Sequence, residues 1–245
     1  VKLTALLFTK GIYMPKVARS QEDREIIREK ILDEALGLIS ESGFSSFSMR
    51  KLASRLGMTA TTIYNYYSSK DELYLMILTK GFDMLYRRFD EIYRTGGDPS
   101  RKLREMVETY IDFGITNANY YNIMFTSDAP KYSDYIGTGI EPVAHFEKQT
   151  ALKLVDIASR VLSDLGKENI GPFTPEEIRY FVIRLWSTLH GIIALYNSRV
   201  LQEVDENAGQ IIEQVAHDLV DLILSGKAEP SPGFRMPVRK SGTRM

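Results

Sequence analysis

Residues 57–70 read GMTATTIYNYYSSK, three threonines and three tyrosines around one asparagine, closed by a lysine and free of acidic side chains. Thr, Asn and Tyr carry hydrogen-bonding groups of modest length, the kind that reaches base edges, thymine methyls and phosphate oxygens in a DNA groove. On a helical wheel Ala60, Ile63 and Tyr67 fall together and should face a core, whereas Thr61, Thr62, Asn65 and Tyr66 fall on the opposite side. Tyr64 lies on the border. Residues 42–70 contain Arg50, Lys51, Arg55 and Lys70 and no Asp or Glu. A run of like charge is ordinarily just a solvated face. Here it coincides with the exposed hydroxyls, and in a chain of formal net charge −1 a nucleic-acid partner has to be argued from such a local patch.

Other chemistry finds little support. There is no cysteine, so disulfides and thiolate metal sites are excluded. Of the three histidines, His145, His190 and His217, none stands four residues from another, so no zinc site and no cofactor are expected. No nucleophile elbow, phosphate loop or histidine–carboxylate pairing at useful spacing is present, which argues against an enzyme.

The elements that must position the stretch are helices. From Asp23 to Ser42 apolar residues recur at helical spacing (Ile27, Ile31, Ala35, Leu38, Ile39) until Gly43, with Phe44 and Phe47 as plugs for a small core. Ser48 is a good N-cap for a second helix turning Leu52, Ala53 and Leu56 inward, and Gly57 ends it. Thr59 caps a third helix of about eight residues, roughly 12 Å long. Helix, glycine turn and short helix make a helix-turn-helix, and the second member fits a major groove about 12 Å wide. Longer amphipathic segments follow, at Asp71–Arg94, Pro99–Ala118, Asn119–Phe125, about Ile140–Leu165, a helix opened by the Thr174 TPEE capping box, and Asp205–Leu224 stopped by Gly226. No alternating strand pattern occurs, so the fold is expected to be all-α.

SSFSMRKLASRLGMTATTIYNYYSSKDEL resembles the DNA-binding segment of TetR-type transcriptional regulators. The matching features are the hydrophobic-Ser-x-Arg entry at Phe47 to Arg50, LAxxLG at Leu52 to Gly57, the aromatic run Ile63 to Tyr67, and Lys70 followed by Asp-Glu-Leu. The resemblance implies a homodimer whose recognition helices enter successive major grooves of a palindromic operator, repression being the commoner mode; a cytoplasmic location is expected because no apolar run approaches 18 residues. Arg50, Ala60, Thr61, Thr62 and Tyr64 would then lie at or near base edges, beside the exposed Asn65. Ser48, Thr59, Tyr66 and Lys70 would hold phosphates. Ala60 departs from the longer polar side chains common at its position and leaves only methyl contact.

The implied organisation is an extension (1–13) before Met14, a helix-turn-helix domain (14–70), a helical effector-binding and dimerisation domain (71–226), and a disordered basic tail (227–245). Leu185 to Leu201 resembles the Trp-x-x-x-His-Gly stretch of one subgroup of such C-terminal domains. Pocket candidates are Phe82, Tyr86, Tyr110, Phe113, Tyr121, Met124, Phe125, Trp186 and His190, although aromatic and Met residues at helical spacing are more often simply core. Their character points to a lipophilic or aromatic effector. The last two long helices carry surplus apolar residues, among them Ile211, Ile212, Val215, Leu219, Leu222 and Ile223, suited to a dimer interface. No run of 18 uninterrupted apolar residues occurs, so no membrane partner is expected. The rival reading is a helical protein-interaction module without sequence-specific DNA binding.

Overall fold

Ser20 opens the first helix with a reciprocal cap: its Oγ accepts from Asp23 N at 3.0 Å while Asp23 Oδ2 accepts from Ser20 N at 3.1 Å. The computed structural model describes residues 20–225, so the expected extension at 1–13 and tail at 227–245 lie outside the described residues. In order the elements are α1 Gln21–Ser46, α2 Met49–Arg55, α3 Ala60–Tyr64, α4 Lys70–Arg94, α5 Pro99–Thr116, α6 Ala118–Phe125, α7 Tyr132–Tyr135, α8 Glu141–Leu165, a π-helical turn Gly166–Ile170, α9 Pro175–Asn197, α10 Val200–Val204 and α11 Ala208–Leu224. Among the described residues there is no strand, and the fold is all-α.

Several helix starts follow from their caps. Ser69 Oγ accepts from Glu72 N at 3.0 Å to start α4, and Thr174 Oγ1 accepts from Glu177 N at 3.2 Å to start α9. Within α1, Gly43 leaves helical geometry at φ 76°, a value that glycine adopts without strain, and Phe44 and Phe47 beyond it are buried as expected.

Two readings of the sequence need correction. The third helix has five residues rather than about eight, because Tyr66 N already bonds Ile63 O at 2.9 Å in a tightened last turn that brings Tyr67 inward. The last helix begins at Ala208, not Asp205: Asp205 is extended, and its Oδ1 accepts from Asn207 N at 2.7 Å in a local turn that competes with helix. The short α7 and the π-helical turn carry too few periodic residues to be legible.

α4 joins the two parts of the molecule. Its first turns carry the buried Leu73, Tyr74 and Ile77, with the Tyr74 ring 4.6 Å from that of Phe44. Its later turns bury Phe82, Leu85 and Phe89, and its most extensive packing is on α8. Each such large apolar side chain contributes about 1.5–3 kcal/mol on burial.

Candidate functional site

α3 is too short to stand alone, and its inner face fixes it. Ile63 is fully buried, Tyr67 nearly so, and Ala60 packs partly against the same core. The Tyr67 hydroxyl donates to Arg28 O at 3.2 Å, and Arg28 Nη1 donates to Tyr66 O at 2.9 Å. The Arg28 guanidinium also stands 4.6 Å from the Tyr67 ring centroid. Burial pushes the Tyr67 phenol well above its ordinary value, so it remains a donor. Arg28 thus ties the C-terminal end of the short helix to α1. Nothing in the mixed-charge sequence of α1 sets this arginine apart.

Thr61, Tyr64 and Asn65 are exposed on the opposite side, Tyr64 at 50%. The border position of Tyr64 resolves outward. Thr62 and Tyr66 are half-buried. Thr59 is the N-cap, accepting from Thr62 N at 3.1 Å, and the two threonine hydroxyls lie 2.9 Å apart. Ser48 likewise caps α2, accepting from Lys51 N at 3.3 Å.

The positive surface is smaller than the sequence suggests. Arg55 is neutralised from α1, with Nη1 2.8 Å from Glu41 Oε2 and Nε 2.6 Å from Glu34 Oε1. Its hydrogen bond holds the Glu41 carboxyl below its ordinary value. Arg50 is exposed, Lys51 Nζ donates to Ser46 O at 2.8 Å, and Lys70 Nζ stands 4.4 Å from the Phe44 ring centroid. Arg50, Lys51 and Lys70 therefore carry the charge around α3.

A cavity of about 510 Å³ lies within the larger helical part. Of the pocket candidates, Phe82, Tyr110, Met124, Phe125 and Trp186 line it. The Phe125 ring ties the group together, with centroids 5.8 Å from Phe82, 6.2 Å from Tyr110 and 5.9 Å from Trp186. Tyr86, Phe113, Tyr121 and His190 are not part of its lining. Tyr86 packs beneath Lys153, with Nζ 5.4 Å from its ring centroid, and Phe113 is fully buried. Tyr121 and His190 form a layer behind the wall: the Tyr121 hydroxyl is 2.8 Å from His190 Nδ1 and 3.4 Å from the Tyr110 hydroxyl. Burial lowers the His190 pKa, so the ring is neutral at neutral pH, and pushes the Tyr121 phenol up to about 12. Aliphatic lining from α5 and α8, such as Leu103, Val107 and Ala158, was missed because the sequence singles out rings more readily than small apolar residues. Lys131, the one charged lining residue among the described residues, was missed as well. Among the described residues no group of His, Asp and Glu is arranged to hold a metal.

Comparison with known proteins matches both parts. Residues 31–77 match the family model "Bacterial regulatory proteins, tetR family", and residues 103–219 match "Tetracyclin repressor-like, C-terminal domain". The chain is 30% identical over 105 residues to the HTH-type transcriptional activator FasR of Mycolicibacterium smegmatis, covering 43% of this chain and 48% of FasR. It is 32% identical over 80 residues to the HTH-type transcriptional repressor KstR of the same organism, covering 33% of this chain and 39% of KstR. The matches thus span half or less of these curated relatives. Among solved structures, the fold is similar to that of the regulator FadR from Bacillus subtilis in complex with stearoyl-CoA, with TM-score 0.61, 14% identity, and coverage of 81% of this chain and 98% of that one.

Proposed function

This chain belongs to the TetR family of bacterial regulatory proteins, and from that premise we propose that it is a cytoplasmic transcriptional regulator, a repressor released from a palindromic operator by a small lipophilic or aromatic effector. The observation that carries the reading is the two-sided α3: Ile63 and Tyr67 are buried while Thr61, Tyr64 and Asn65 stand free beside Arg50, Lys51 and Lys70. In this reading Arg50, Ala60, Thr61, Thr62, Tyr64 and Asn65 approach base edges. Ser48, Thr59, Tyr66 and Lys70 approach phosphates, where a hydroxyl that accepts in a cap still has its proton to donate. The division at residue 70 separates the DNA-reading part from the effector-binding part, and the chain performs no catalysis.

Release follows from the course of α4. The same helix carries Tyr74 against Phe44 at one end and Phe82, Leu85 and Phe89 into the cavity at the other. An effector that prefers one tilt of α4 shifts the population toward a spacing of recognition helices that no longer matches two successive grooves.

The partner in such a dimer is a second copy, docked on the outward face of α9. α9 is apolar and long enough to cross a membrane by length and composition, with mean hydropathy 1.2 over 18 residues. Arg184 and its acidic first turn, Glu176 and Glu177, favour a protein partner over lipid. α11 turns Ile212, Leu219, Val220 and Ile223 inward, so its share of the interface comes from the half-buried Ile211, Val215 and Leu222.

A gel-shift titration with the DNA upstream of the chain's own gene tests the reading. Sequence-specific, salt-dependent retardation that weakens at least about tenfold in Tyr64→Ala is expected. Retardation absent at every salt concentration would instead favour a protein-interaction module.

A further inference from the structure

Phe82, Leu103, Met106 and Val107 form a buried apolar stretch of the cavity, whereas Lys131, with Leu152, Val155 and Trp186, is among the exposed lining residues where it meets solvent. Among the described residues no Asp or Glu lines the cavity. We propose that the cavity takes an amphipathic anion, with a hydrocarbon body in the apolar interior and an anionic head against Lys131 Nζ. The proposal rests on reading the cavity as the effector site and adds the ligand's chemical class.

Three observations carry it. The backbone N–H of Lys131 donates to Asp134 Oδ2 at 2.8 Å, which anchors the residue at the start of α7. Its Nζ donates to Ser127 O at 3.4 Å, leaving donors of the ammonium available. Glu147, an acidic neighbour that interacts with Lys131, has its carboxyl pushed up to about 7 by burial, so near neutral pH it is only partly ionised and leaves much of the lysine charge uncompensated. A cationic head would meet repulsion at this opening, and a neutral head would forgo the charge-assisted hydrogen bond. A free fatty carboxylate and an acyl thioester with a phosphorylated head share the required chemistry.

Trp186 is the sole tryptophan and lines the cavity, so its fluorescence reports occupancy in the full-length protein. Dodecanoate, dodecanol, dodecylamine and dodecanoyl-CoA are titrated against the parent, Lys131→Met and Lys131→Arg. The expected result is dodecanoate or its CoA thioester binding about tenfold or more tighter than dodecanol, a preference lost in Lys131→Met and kept in Lys131→Arg. The order of those two anionic probes tells a free carboxylate from a thioester source. Equal binding of acid and alcohol, tighter binding of the amine, no binding of any probe, or a preference unchanged in Lys131→Met overturns the proposal. Gel shifts run in parallel separate the two readings. Dodecanoate that binds with this preference without releasing operator DNA removes the effector reading and leaves the anion site standing, whereas operator release by acid and alcohol at equal affinity does the reverse.

Discussion

Arg28 supplies from α1 what α3 lacks in length. One guanidinium satisfies the Tyr66 carbonyl at 2.9 Å and covers the Tyr67 ring, holding the exit of the recognition helix in one place. Arg28→Met removes the donor and keeps much of the apolar stem. Losing a charged hydrogen bond to a part-buried carbonyl costs about 1.5–3 kcal/mol, so operator affinity is expected to fall about tenfold or more in a gel shift run well below the melting temperature. Arg28→Lys should recover part of it. A second residue sets a pH dependence. Burial raises the Glu147 carboxyl from 4.5 to about 7 in the folded chain, an effect partly opposed by Lys131. The native state therefore binds the proton more tightly than the unfolded chain, and stability falls as pH rises through that window and levels off above it. Glu147→Gln should be more stable than the parent by about 1–3 kcal/mol at pH 8 and indistinguishable from it near pH 4, read by thermal unfolding at both values. The sequence makes Thr61 and Ile63 legible because helical period alone sorts them. It hides Arg28 and Lys131, whose roles depend on partners 38 residues away and on a cavity assembled from several helices.

Elements with chemical punctuation were readable at their ends. The Thr174 capping box and the proline that follows it fix the start of α9, Gly57 fixes the stop of α2, and Gly43 marks the kink within α1. Where a boundary depends on a competing local hydrogen bond, as at Asp205, helical period carries no signal. Glycines inside helices show the same division between local and tertiary control. Ala exceeds Gly in helix interiors by about 0.5–1 kcal/mol. At Gly37 in α1 an added Cβ meets nothing within 4 Å, so Gly37→Ala should stabilise the protein by about that amount. At Gly114 in α5 the same Cβ would lie 2.8 Å from Ile193 Cγ2 and 3.2 Å from Tyr121 Cδ2. Ile193 is fully buried and its branched side chain cannot swing away, so overpacking of about 1–3 kcal/mol outweighs the propensity gain. Gly114→Ala should therefore lower the midpoint of urea unfolding while Gly37→Ala raises it. Two shifts of the same sign would mean that packing between α5 and α9 is looser than these distances imply.

At the scale of the whole molecule, a single five-residue helix offers few contacts for tight operator binding, and in the proposed dimer a second copy a helical turn away on the DNA would supply the rest. The outward face of α9 has the shape for joining them. Ile183, Ser187, Gly191 and Ala194 recur at helical spacing on the side away from the buried Phe181, Leu185 and Leu189, with Ile183 and Leu195 about half-exposed. A stripe of small residues lets two helices approach closely, and the flanking apolar side chains would be buried by the partner. Gly191 separates the interface from the fold, because a Cβ there meets nothing within 4 Å in the single chain. Gly191→Arg is therefore expected to leave the melting of the isolated chain little changed, apart from the stabilisation a dimer adds by mass action. It should convert the protein from dimer to monomer in sedimentation velocity. Operator binding should fall with it by about a hundredfold or more, since the second recognition helix no longer arrives at high effective concentration. A Gly191→Arg variant that sediments as a dimer and binds its operator normally would move the interface off this face of α9.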